Sequence, residues 1–140
     1  MKEEDVLKEY EFYRNQLETL QQNLNLVDNS LVELRMVSKS LSEIGAAKKE
    51  SEVFVPIGFD SFIKAKITDP DNVVVGIGAG VAAKKTIKEA KDDFEERIKE
   101  LETVKADNTS NLESVISKLR EIEPSVKSIV AQSQSGKKEG

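Results

Sequence analysis

Apolar or small residues recur at Tyr10, Tyr13, Leu17, Leu20, Leu24, Val27, Leu31, Leu34, Ser38 and Leu41, in strict alternation of three and four steps. That spacing places every one of them on a single narrow stripe of an α-helix, the seam of a coiled coil. A helix with such a stripe cannot bury it alone and needs a partner helix. No Pro or Gly interrupts residues 3–44, and Gly45 stands where a left-handed residue ends a helix. A first helix over 3–45 is predicted, about 60 Å long at 1.5 Å of rise per residue.

The partner lies in the same chain. A second seam runs through Ile87, Phe94, Ile98, Leu101, Leu112, Val115, Leu119, Ile122, Val126 and Ile129, with Lys91, Lys105 and Asn108 as polar insertions in the same register. Thr86 followed by Glu89 forms a capping box, so a second helix is predicted over 86–131. It is expected to be loosest at Lys105–Asn111, where helix propensity is low. A kink or fray is expected beyond Glu123, because Pro124 lacks an amide hydrogen and clashes with the preceding turn. Residues 132–140 are expected to form a disordered tail.

Residues 46–85, between the helices, have the other period. Val53, Val55 and Ile57 alternate, as do Ile63, Ala65 and Ile67, and Val73-Val74-Val75 is a β-branched run. Turn signals at Gly58-Phe59-Asp60-Ser61, Asp69-Pro70-Asp71-Asn72 and Gly76-Ile77-Gly78-Ala79-Gly80 divide them into two consecutive β-hairpins, the last strand lying near Val81–Lys85. The predicted class is α+β, mainly helical: a long antiparallel two-helix coiled coil with two β-hairpins between the helices that join an oligomeric β-barrel body. Short hairpins need a surface against which to bury an apolar face, and both helices spend their stripes on each other. An oligomer interface is therefore expected at Val53, Val55, Ile57, Ile63, Ala65, Ile67, Val73, Val75, Ile77 and Val81.

The long helix, two hairpins and long helix together resemble the α-class subunit of archaeal prefoldin. The specific likeness lies in Val55-Pro56-Ile57-Gly58 with Phe62-Ile63-Lys64-Ala65-Lys66-Ile67, and in the run from Asp69 to Val81. The resemblance implies an ATP-independent holdase, a hexamer of two such subunits with four β-class subunits, capture of non-native client proteins, and delivery to a group II chaperonin. Client contacts are expected at the coiled-coil tips: Val6, Leu7, Tyr10, Phe12, Tyr13, Val126, Ile129 and Val130. Each of these residues, taken singly, is also what ordinary coiled-coil packing or a harmless exposed side chain looks like.

Catalytic chemistry finds little support. The chain has no His and no Cys, so the commonest general base, thiol nucleophiles and disulfides are missing, and no enzyme activity or cofactor is expected. Gly76, Gly78 and Gly80 fit neither the dinucleotide fingerprint nor the Walker pattern, Ala83 standing where the latter needs Gly. Asp69 and Asp71 open no calcium loop, since Val73 and Val74 follow. The net charge of −5 comes from interspersed Lys and Glu, which excludes the basic footprint of a nucleic-acid binder. No apolar run reaches membrane-spanning length and the N-terminus lacks signal-peptide character, so no membrane partner and a cytoplasmic location are expected. The alternative reading is a structural coiled-coil scaffold or a filament-forming prefoldin relative, in which the same β region polymerises.

Overall fold

A computed structural model describes residues 2–138. The element order is α1 (Glu3–Ala46), β1 (Glu52–Gly58), β2 (Ser61–Lys66), β3 (Asn72–Gly78), β4 (Val81–Thr86) and α2 (Ile87–Lys138). The chain divides into two compact units. One comprises the helix ends, α1 up to Asn29 and α2 from Glu102, and the other is Ser30–Leu101.

In the unit of helix ends, α1 and α2 run antiparallel. Asp28 accepts a 2.8 Å ion pair from Lys105, while Phe12, Tyr13 and Gln16 border the same groove as Asn111, Val115 and Lys118, so α2 ascends as α1 descends. The seam residues of this unit are half-buried or buried on both helices, except Lys105, which is exposed. Between Leu101 and Asn108 every residue is exposed, so the seam lapses at Lys105, but Asn108 resumes it, and the helix is unbroken through the expected loose stretch Lys105–Asn111.

Three helix boundaries differ from the sequence expectation. First, α2 neither ends at 131 nor gives way to a tail at Gln132; it continues through Pro124 to Lys138, and residues 139–140 lie outside those described. Pro124 deprives only the carbonyl of Arg120 of its helical partner, and Arg120 is exposed, so water can take the missing place while Val126 and Ile129 continue the seam. Second, Gly45 is not the left-handed terminator of α1. The glycines with positive φ are Gly58, Gly78 and Gly80, and the turn after α1 instead places Glu50 at φ 73°. Gly45 is helical and serves close approach: a Cβ there would stand 3.1 Å from Cγ2 of Ile87. Third, Thr86 closes β4 and caps α2, its Oγ1 accepting from the Glu89 amide at 3.1 Å.

In the unit Ser30–Leu101 the β region is two separate two-stranded antiparallel sheets, β1-β2 and β3-β4. Each carries the same construction. Val53 faces Ala65 and Val55 faces Ile63 in the first; Val73 faces Lys85 and Val75 faces Ala83 in the second. Both then shift register, between Pro56 and Gly58 and between Gly76 and Gly78, leaving Ile57 and Ile77 as the extra residues of β-bulges. Both close in a two-residue turn with left-handed central residues, Phe59 and Asp60 at φ 46° and 57°, Ala79 and Gly80 at 51° and 74°. These are type I′ turns, whose twist matches that of the strands they join. The hairpins are thus an internal repeat, visible in sequence as Val-x-Val-x-Ile-Gly at Val53–Gly58 and again at Val73–Gly78.

The buried apolar side chains among the described residues are Leu31, Leu41, Ala90 and Val115. Leu31, Leu41 and Val115 are seam positions. Ala90 is not; it lies three residues after Ile87, where Asp93 of α2 is ion-paired to Lys85 of β4. The buried stripe of α2 is wider there than a two-position seam, as it is on any helix covered by more than one neighbour.

Candidate functional site

The expected contacts at the helix ends divide into two kinds. Val6, Tyr10, Tyr13, Val126 and Ile129 are half-buried and belong to the seam, whereas Leu7, Phe12 and Val130 are 40%, 55% and 44% exposed. Phe12 meets Tyr13 edge to face with ring centroids 5.4 Å apart, and Arg14 stacks over Tyr10 at 5.9 Å. Below this aromatic cluster a groove of about 620 Å³ opens between the helices, floored by Leu20 and Val115 and rimmed by the amides of Asn15, Gln16 and Asn111. Apolar floor with amide rim suits an extended polypeptide, whose side chains seek the floor and whose backbone seeks donors and acceptors.

The hairpins carry the larger unsatisfied surface. Of the expected interface residues, Val55, Ile57, Ile63, Ile77 and Val81 are exposed by 45–61%. Val53, Ala65, Ile67, Val73 and Val75 are half-buried. The expectation that the chain offers the strands no surface of its own is corrected: Val73 and Val75 border a groove with Val37, Leu41 and Phe94, so helix residues cover part of the second hairpin. The simple alternation that would put Ile57 and Ile77 on the face of Val55 and Val75 does not extend through the bulges.

Sequence alternation also missed the opposite face. Phe54, Phe62 and Val74 are 71%, 58% and 73% exposed, and Phe54 sits across from Lys64, Pro56 from Phe62. Hairpin one therefore exposes aromatic rings on its second face, beside Glu52, Lys64 and Lys66. The signal was present in the sequence: Phe54 and Phe62 break the polar-out half of the pattern that a solvated face requires. All four strands have one unpaired edge, because each sheet has only two strands.

The turn between the hairpins is fixed by Asp69. Its Oδ1 accepts from the amides of Asp71 and Asn72 at 3.1 and 3.2 Å, Oδ2 accepts from the Asn72 side chain at 3.2 Å, and Lys84 lies 3.9 Å away. The Asp71 amide, then the Asn72 side chain, hold the Asp69 carboxyl below its ordinary value of 3.8. The Asp71 carbonyl accepts from the amide of Ile87 at 3.0 Å, tying this turn to the start of α2. A carboxyl depressed in the fold stabilises above 3.8 and loses that contribution as pH falls through the folded value. Asp69→Ala is expected to lower Tm at neutral pH. The gap from the parent should narrow as the buffer is taken below 3.8; a gap independent of pH would show that the carboxylate is not what holds the turn.

Among the described residues no helix is long and apolar enough to cross a membrane, and no three acidic side chains gather as a metal site.

The family model described as prefoldin subunit matches residues 13–132. The Prefoldin subunit alpha of Methanobrevibacter smithii is 30% identical over 129 residues, spanning 92% of this chain and 83% of that protein. That of Methanopyrus kandleri is 39% identical over 87 residues, spanning 62% of this chain and 55% of that protein, so the match takes in little more than half of that relative's length. In fold, a filamentous PFD of Methanocaldococcus jannaschii aligns at a TM-score of 0.70 and 23% identity, covering 84% of this chain and 97% of that one. The prefoldin beta subunit of Thermococcus strain KS-1 aligns at 0.57 and 20%, covering 91% and 90%.

Proposed function

Because this chain belongs to the prefoldin family, we propose that it is a subunit of a cytoplasmic, ATP-independent holdase that works by binding, without catalysis. The observation that carries this reading is the placement of its uncovered apolar surface. It is concentrated on the hairpins, most of all in Phe54, Phe59 and Phe62, and recurs at the helix ends in Leu7, Phe12 and Val130, while Leu26, Val32, Met36 and Val104 stand exposed along the helices between. The hairpins, with their open strand edges, close a β body with other subunits, two of this class and four of the β class. The helix ends, several to an assembly, grip non-native chains through weak apolar contacts whose avidity rises with their number. Release follows when a group II chaperonin competes for the client.

Two measurements test this. Light scattering of the chain with a β-class partner should give a closed hexamer, and that hexamer should suppress aggregation of a denatured client without ATP. Trimming the residues before Tyr10 and after Glu123 should leave the assembly mass unchanged while raising the amount needed for half-suppression on the order of tenfold. Equal suppression by trimmed and parent assemblies would remove the helix ends from the mechanism.

The likeness to a filamentous relative favours a second reading, a scaffold in which the same hairpins polymerise. Mass that grows with concentration and never closes, with no suppression of aggregation, would establish it.

A further inference from the structure

Phe59 is the residue whose local chemistry is least satisfied. It is 106% exposed at the first central position of a type I′ turn, at φ 46°, with Asp60 following at 57°. That turn prefers Asn-Gly, because both central residues are left-handed, and a bulky side chain in that region is an outlier. The matched turn of the second hairpin uses Ala79-Gly80, so the repeat itself does not require an aromatic ring. Phe59 thus combines backbone strain with exposed apolar area, and among the described residues nothing covers its ring.

The same unit holds an apolar groove of about 520 Å³ beside β3, lined by Met36, Leu41, Val74 and Phe94. Met36 and Val74 are 65% and 73% exposed, so the groove is open. The outer edge of β3 is unpaired, and a Cβ added at Gly76 would meet nothing within 4 Å, which leaves room for another backbone to approach. Glu33 lies on the rim, opposite in sign to Lys66 of hairpin one, while Lys64 is already ion-paired to Glu52 at 3.0 Å. The area also suffices. Phe54 and Phe62 on one face of hairpin one, with Phe59 at its tip, offer three largely exposed rings of roughly 150–250 Å² each, which approach the roughly 800 Å² per partner of a specific interface.

We propose that Phe59 of one copy of this chain seats in the Met36–Val74–Phe94 groove of a second copy, so that the hairpin tip is a self-recognition plug. The proposal rests on the reading that the hairpins are assembly surfaces. It explains why a strained aromatic stands at one tip and small residues at the other: one hairpin donates the plug, and the other borders the socket.

The chain has no Cys, so single thiols report cleanly. Differently tagged full-length chains carrying Asp60→Cys and Met36→Cys, mixed and mildly oxidised, should form a disulfide between the two tags. Asp60→Cys mixed with Leu26→Cys should not. The double variant Phe59→Asn, Asp60→Gly installs the preferred turn residues, so its Tm should not fall, while self-association loosens at least about tenfold. Trapping no stronger than the Leu26 control, or an unchanged dissociation constant in the double variant, overturns the proposal. A disulfide from Asp60→Cys that forms only to a thiol-bearing β-class subunit overturns the second copy as the occupant. If the double variant associates normally while charges placed on the hairpin face still separate the subunits, assembly through the hairpins stands and only the plug is lost.

Discussion

Replacing Val55 and Ile63 together with Asp will separate the assembled subunits while leaving the helices folded. The two residues face one another across β1 and β2 and are 45% and 54% exposed in the single chain, so the substitution removes little from its own packing. In an assembly that covers the exposed half of each, each side chain contributes on the order of 1 kcal/mol, and two carboxylates placed directly opposite add repulsion and the cost of leaving water. The combined loss is on the order of 3–6 kcal/mol, two to four decades in dissociation constant. Sedimentation or light scattering at fixed concentration reads the result, with circular dichroism to confirm helix content. A double variant with the mass of the parent would show that this face is not an interface.

The second large effect is expected inside the helices. Leu31 is 1% exposed and is the largest fully buried side chain among the described residues, whereas Leu26 on the same helix is 65% exposed. Leu31→Ala should cost about 2–5 kcal/mol in urea unfolding, from lost transfer energy plus the cavity left behind, and Leu26→Ala should stay within about 0.5 kcal/mol. The difference matters because total stability is itself only about 5–15 kcal/mol. Leu31→Met should recover most of the loss, since volume is conserved. Similar costs for Leu31 and Leu26 would mean that the seam register is wrong.

Why the seam was legible and other features were not follows from the range of the forces involved. The positions from Tyr10 to Leu41 and from Ile87 to Ile129 are read from spacing because a helix presents the same face every 3.6 residues, whatever surrounds it. The exposure pattern follows that register at every seam position but Lys105, where a polar residue leaves the seam to reach Asp28, and the buried Ala90 lies outside it. The hairpins were legible for the same reason, with period two in place of 3.6. Their repeat, Val53–Gly58 and Val73–Gly78, was also in the sequence, and comparing the two hairpins position by position would have found it.

Other features depend on neighbours that no local pattern names. Gly45 reads as a helix stop, yet its role is set by Ile87, far along the chain. Pro124 reads as a break, but the helix runs on past it, and the seam that continues through Val126 and Ile129 offsets the lost hydrogen bond and the ring clash. Ala90 is too small to announce itself as core, and its burial depends on a second element covering the base of α2.

The two seams, the two hairpins and the positions of their turns follow from backbone geometry and the alternation of apolar side chains over a few residues, so local spacing is enough to read them. Which apolar residues stay uncovered, where the helices end and how Phe59 is held come from the folded molecule. Burial and close approach are set by groups distant in the chain, and free energy there depends on what lies opposite each side chain.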